Sequence, residues 1–114
     1  MDFGYSSVSP EFFLACLLRD RKKVSFREIN EGVSRVCDYL EEKGSFCVRA
    51  WGSSLLGAVQ GSPDVFWSNA NGDVGRRGVG RRGVGGYLEK DFVVDVLGRD
   101  LDREIALGIH DLLN

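Results

Sequence analysis

Residues 71–86 read Asn-Gly-Asp-Val-Gly-Arg-Arg-Gly-Val-Gly-Arg-Arg-Gly-Val-Gly-Gly, and this tract constrains the fold more than any other stretch. The pentamer Val-Gly-Arg-Arg-Gly stands twice, at 74–78 and 79–83, before a broken third copy. Glycine at this density loses too much backbone entropy on ordering to make a good helix or strand. The regular structure is therefore expected before and after the tract, which itself reads as an Arg-Gly loop over 74–86. Arg76, Arg77, Arg81 and Arg82 lie in it, and no acid falls between Val74 and Gly86. The whole chain has a formal net charge of −2, so the remainder is acidic on balance. A cationic loop on an acidic body steers toward an anion.

Ahead of the tract the pattern is first helical. Met1–Val8 reads as a loose arm. Ser9-Pro10-Glu11 is a helix start, with Ser as N-cap, Pro at the first position and Glu at the positive end of the dipole. This helix is expected over 10–21. Phe12–Leu18 is apolar nearly all round, so it should be covered on more than one side. Arg19, Arg21, Lys22 and Lys23 gather at its end, where the dipole favours cations. Ser25-Phe26-Arg27-Glu28 is a capping box that opens a second helix over 26–43. Phe26, Ile29, Val33, Val36 and Leu40 form one apolar stripe along it. The short link predicts an antiparallel helical hairpin.

Past Gly44 the period changes to two, and 46–51 reads as a strand. Leu55–Val59 fits a strand or a helical turn equally. Val65–Ala70 reads as a strand with Phe66 and Trp67 on opposite faces. Asn71-Gly72 is a two-residue hairpin signal. Tyr87–Leu97 alternates as a strand, with Phe92, Val94 and Val96 on one face. Asp100 is positioned to cap a last helix over 101–113, expected to cover the sheet with Leu101, Ile105, Ile109 and Leu112. The expected fold is α+β in a single domain over 1–114. An N-terminal helical hairpin packs with a three- to four-stranded, mostly antiparallel sheet, and a C-terminal helix closes the core.

Three cysteines, Cys16, Cys37 and Cys47, are an odd number at no motif spacing, which points to free thiols in a reducing, cytoplasmic setting. With one histidine, His110, a zinc site is not expected. No leader peptide is expected, since the charges follow the apolar run Phe12–Leu18 instead of preceding it. No run approaches the length of a membrane span.

The function reading centres on the tract. Guanidinium forks match phosphate oxygens, and glycines let backbone N–H groups approach an anion. The expectation is a non-catalytic module that contacts nucleic-acid phosphates or another polyanion through Arg76, Arg77, Arg81 and Arg82. Arg49, Trp51, Trp67 and Tyr87 would add stacking if they share an exposed face. A homodimeric interaction domain using tryptophans and strand edges is the alternative. A winged-helix-like DNA binder is the second alternative, with the Arg-rich hairpin as its wing; one unbroken stripe over 25–43 leaves little room for a helix-turn-helix.

Catalytic patterns are incomplete. The tract lacks the Gly-Lys-Ser/Thr of a phosphate-binding nucleotide loop and the glycine spacing of a dinucleotide fingerprint. Pro63-Asp64 with Glu89-Lys90 comes near a nuclease pattern, but the missing spacer would put Glu89 and Lys90 on opposite faces of a strand. Arg103 and His110 share the last helix, where His110 reads as a capping or surface residue. Asp64, Asp91 and Asp95 read as solvent-facing carboxylates. No nucleophile–base–orienter set is present, so no catalytic residue, metal site or cofactor is expected.

Overall fold

A computed structural model describes residues 8–44, 52–61, 63, 65–76 and 89–114. The expectations for residues 1–7, the strand over 46–51, Cys47, Asp64 and the tract from Arg77 to Tyr87 lie outside these residues.

The central element is α1, Pro10–Leu18. Ser9 Oγ accepts the Phe12 N–H at 3.1 Å, and Pro10 occupies the first helical position. Every residue from Phe12 to Leu18 is buried, as an apolar run without a polar face requires. Val8, read as part of a loose arm, is also in the core. The helix stops at Leu18, three residues short of expectation, and the chain turns into a short strand β1, Lys23–Val24.

Helix α2 is Phe26–Glu42. Its capping box is complete: Ser25 Oγ accepts the Glu28 N–H at 3.2 Å, and Glu28 Oε1 accepts the Ser25 N–H at 3.0 Å. The Ser25 backbone hydrogen bond, with its hydroxyl, holds the Glu28 carboxyl below the usual range. Ile29, Val33, Val36 and Leu40 are buried as the stripe predicts. Phe26 is not; it is 61% exposed, because the first residue of the helix stands at the rim beside Gly72. Cys37 is buried and disulfide-bonded, which departs from the free thiol expected; Cys16 is a free, buried thiol.

Residues Gly52–Gly61 form α3, which settles the ambiguous 55–59 pattern as helix. Strand β2 is Phe66–Ser68 and β3 is Val74–Arg76. The three strands make an antiparallel sheet in the order β1-β3-β2. The first residues of the Arg-Gly tract are thus its middle strand, not a loop. The turn Asn69–Asp73 joins β2 to β3, with Asn69 Oδ1 accepting the Asn71 and Asp73 N–H groups. Gly72 has φ +85°, whereas Asn71 keeps a negative φ, so the expected two-residue hairpin is replaced by this wider turn.

Glycine is required in β3. Trp67 faces Gly75 across the ladder, and its indole lies where a Cβ on Gly75 would stand. The missing side chain makes room for the ring, so the weak strand former is compensated by its cross-strand neighbour.

The expected strand over 87–97 is helical where described. A turn of helix α4, Lys90–Phe92, runs into a π-helical stretch, Val93–Leu97, closed by Gly98 N–H to Val93 O at 2.9 Å. Val93 and Val94 are buried side by side, Leu97 is half-buried, and Asp95 is exposed. That is helical spacing. The stretch packs on α1, where Phe12 meets Gly98, and this contact overrides the β preference of its valines.

Helix α5, Arg103–Leu113, has Asp102 as N-cap in place of Asp100. It packs on α1, α2 and the π-helical stretch, not over the sheet as expected. Gly108 lets Tyr39 of α2 lie directly against α5, and Leu113 meets Gly32. Phe13 of α1 meets the same glycine, so the N-terminal helices touch directly and are also joined through α5. The fold is α+β, and no described helix is long and apolar enough to cross a membrane.

Gly75→Val forces Trp67 off β3. We expect a loss of about 1–3 kcal/mol, read as a lower urea midpoint with red-shifted tryptophan emission. An unchanged midpoint and spectrum would refute the packing of this ring on the strand.

Candidate functional site

Of the seven residues singled out for binding, Arg76 is described; Arg77, Arg81, Arg82, Arg49, Trp51 and Tyr87 lie outside the described residues. Arg76 ends β3 and is anchored twice. Its N–H donates to Lys22 O at 3.0 Å, and its Nε donates to Arg21 O at 2.9 Å. The residue is half-buried. The point at which the tract leaves the sheet is therefore fixed against the segment that follows α1.

That segment is the basic run Arg19, Arg21, Lys22 and Lys23. Arg21 is structural: its Nη1 donates to Leu17 O at 2.9 Å and to Leu113 O at 3.0 Å, joining the carbonyl ends of α1 and α5. Arg19 Nη1 is 3.6 Å from Asp20. Lys22 and Lys23 are exposed, and Lys23 Nζ approaches Asp73 at 4.0 Å, a weak surface pair. Arg76 thus meets a basic run far from it in sequence at one end of the sheet. The helix-dipole reading of the run holds for Arg21 and misses that Lys22 and Lys23 lead into β1. A strand of two residues leaves no periodic signal to find.

The sheet places a row across its open face. Lys23 pairs with Gly75, and Gly75 with Trp67, so the three positions share one face. Val24, Val74 and Phe66 are buried on the other, which belongs to the core. Trp67 is half-buried, with one side of its ring against Gly75. The opposite faces expected for Phe66 and Trp67 are observed.

The remaining candidates separate. Glu89 is the N-cap of α4 and Lys90 its first residue, so the nuclease pattern loses its strand. Lys90 Nζ lies 3.7 Å from Asp111. Arg103 Nε donates to Asp95 at 3.0 Å. His110 is 3% exposed, not a surface residue: it is drawn into the α5 core beside Ile109, with Nδ1 3.1 Å from Asp111 Oδ1. That hydrogen bond from His110 lowers the Asp111 carboxyl below its usual range. Burial pushes the Cys16 thiol up, against thiolate chemistry. Among the described residues no cluster of His, Cys, Asp and Glu is placed to hold a metal. An open cleft of about 900 Å³ runs beside Arg21, Phe26, Arg27 and Arg35, but Arg27 is paired with Glu31 at 3.5 Å and Glu28 with the Ser25 cap.

No family model matches the chain, and neither a curated protein nor a solved structure matches it.

Arg21→Ala leaves the Leu17 and Leu113 carbonyls without this donor. We expect destabilisation of about 1.5–3 kcal/mol, measured by urea denaturation, with at best partial recovery in Arg21→Lys because one ammonium lacks the planar fork. Wild-type stability in Arg21→Ala would remove Arg21 from this role.

Proposed function

We propose that the protein is a non-catalytic module that contacts nucleic-acid phosphates or a similar polyanion through the Arg-Gly tract and the adjoining basic run. The observation that supports this reading is the pairing of β3 with β1. It anchors the tract at Arg76 beside exposed Lys22 and Lys23, so the arginines that follow in sequence start from an already basic surface. The sequence continues from Arg76 with three more arginines within six residues, which adds positive charge next to the one already beside Lys22 and Lys23. Recognition of this kind reads charge, not bases, and weakens steeply with salt.

The winged-helix alternative gains one observation. Helix, strand, helix, helix, strand, turn and strand follow in that order, with the last strand in the middle of the sheet, as in a winged helix. Two features depart from it. Helix α3, which follows α2 in the place of a recognition helix, has no charged residue to read a groove. The arginines also follow β3 and do not form the β2–β3 turn. Sequence-independent contact remains the better reading. The homodimer alternative draws on exposed Phe26 and the short strand edges. A cytoplasmic location belongs to the same proposal, and the disulfide at Cys37 weighs against it.

The test is fluorescence polarisation with a labelled oligonucleotide across a salt series. Arg76 is left intact because it holds the sheet together. Arg77, Arg81 and Arg82 are changed together to Ala. The wild type should bind with an affinity that falls linearly in log[salt], and the triple variant should lose at least tenfold and about three units of slope at most. Equal affinity in wild type and variant would overturn the proposal.

A further inference from the structure

We infer that the open face of the sheet takes single-stranded nucleic acid, stacking an unpaired base on the indole of Trp67. This inference rests on the phosphate-binding reading above and names its substrate class. Three observations carry it. The Trp67 ring is braced by Gly75 on one side, and the residue keeps part of its surface exposed. It is held still as well as exposed: the backbone under the ring is the middle strand, hydrogen-bonded on both sides. The surroundings are complementary to a phosphate chain. Lys23 stands on the same face across Gly75, 57% exposed in its side chain, and exposed Lys22 precedes it in the chain. The acid beside them, Asp73, accepts from Asn69 Nδ2 at 3.2 Å and is 19% exposed, so the turn and Lys23 already engage it.

A base stacked in a duplex presents no free face to such a ring. An unpaired base does, whatever its identity, because every base has a π-face. The indole therefore selects for strandedness without selecting for sequence. A protein partner is the competing occupant, since Trp is also frequent at protein interfaces.

The test uses a Trp51→Phe background, which leaves Trp67 as the sole tryptophan of the two in the chain. Labelled dT12 and a twelve-base-pair duplex are titrated at low salt, with tryptophan emission recorded in parallel. We expect tighter binding of dT12, quenching of Trp67 at saturation, and a loss of about ten- to a hundredfold in dT12 affinity on Trp67→Leu. The duplex should be little affected, and Trp67→Phe should retain most of the dT12 affinity. Salt-dependent binding of dT12 without quenching, and with equal affinity in Trp67→Leu, overturns the stacking site and leaves the phosphate reading intact. Absence of binding by either oligonucleotide overturns both. A dimer by sedimentation whose assembly buries Trp67 and is broken by Trp67→Leu assigns the face to a second copy and likewise overturns it. Should Trp67→Leu fail to fold, quenching and the Trp67→Phe affinity decide.

Discussion

The structure depends on what happens around Arg21. Helix α1 and helix α5 both end with carbonyls pointing at the same place, and one guanidinium nitrogen takes a carbonyl from each, at Leu17 and Leu113. Orphan carbonyls at a helix end need a donor, and the negative ends of two dipoles side by side need a cation. Arg21 supplies both. Its own carbonyl, with that of Lys22, then receives Arg76. A single short segment after α1 thereby ties the helical layer to the middle strand of the sheet. Asn114 Nδ2, which donates to Cys16 O and His110 O at 2.8 Å, closes the same corner from the end of α5.

This arrangement changes the physical meaning of the Arg-Gly tract. Its first three residues are consumed by the fold. Val74 is buried, Gly75 lies under Trp67, and Arg76 is hydrogen-bonded through backbone and side chain. The glycine that makes a strand entropically poor is here what admits the indole. The loop read from composition over 74–86 therefore does not begin at Val74, because the strand runs to Arg76. The proposal for function is correspondingly narrower: one arginine is structural, three remain, and Lys22 and Lys23 join them from another part of the chain.

What was legible in the sequence followed from local chemistry. Ser9-Pro10 and the Ser25–Glu28 box mark both helix starts because the side chains that satisfy the first N–H groups lie within three residues of them. The stripe from Ile29 to Leu40 shows because one face of α2 is buried and the other is not. What was not legible depends on partners distant in sequence. The valines at 93–96 fit alternation, and they also fit helical spacing through Val93, Val94 and Leu97; only Phe12 at Gly98 decides between the two. β1 is too short to show a period and exists because β3 pairs with it. His110 reads as a surface residue beside a helix end until α5 is placed against α1. Of the candidate site, the residue types were visible, but the meeting of Lys22 and Lys23 with Arg76 and the row Lys23–Gly75–Trp67 are products of register alone.

The central claim is that the tract begins as a fixed strand and not as a loop. Amide hydrogen exchange at Arg76 measures this directly, because its N–H is bonded to Lys22 O where the middle strand ends. The account predicts protection comparable to the slowest amides of α1, lost only with global unfolding. Exchange at the rate of an unstructured peptide would contradict it.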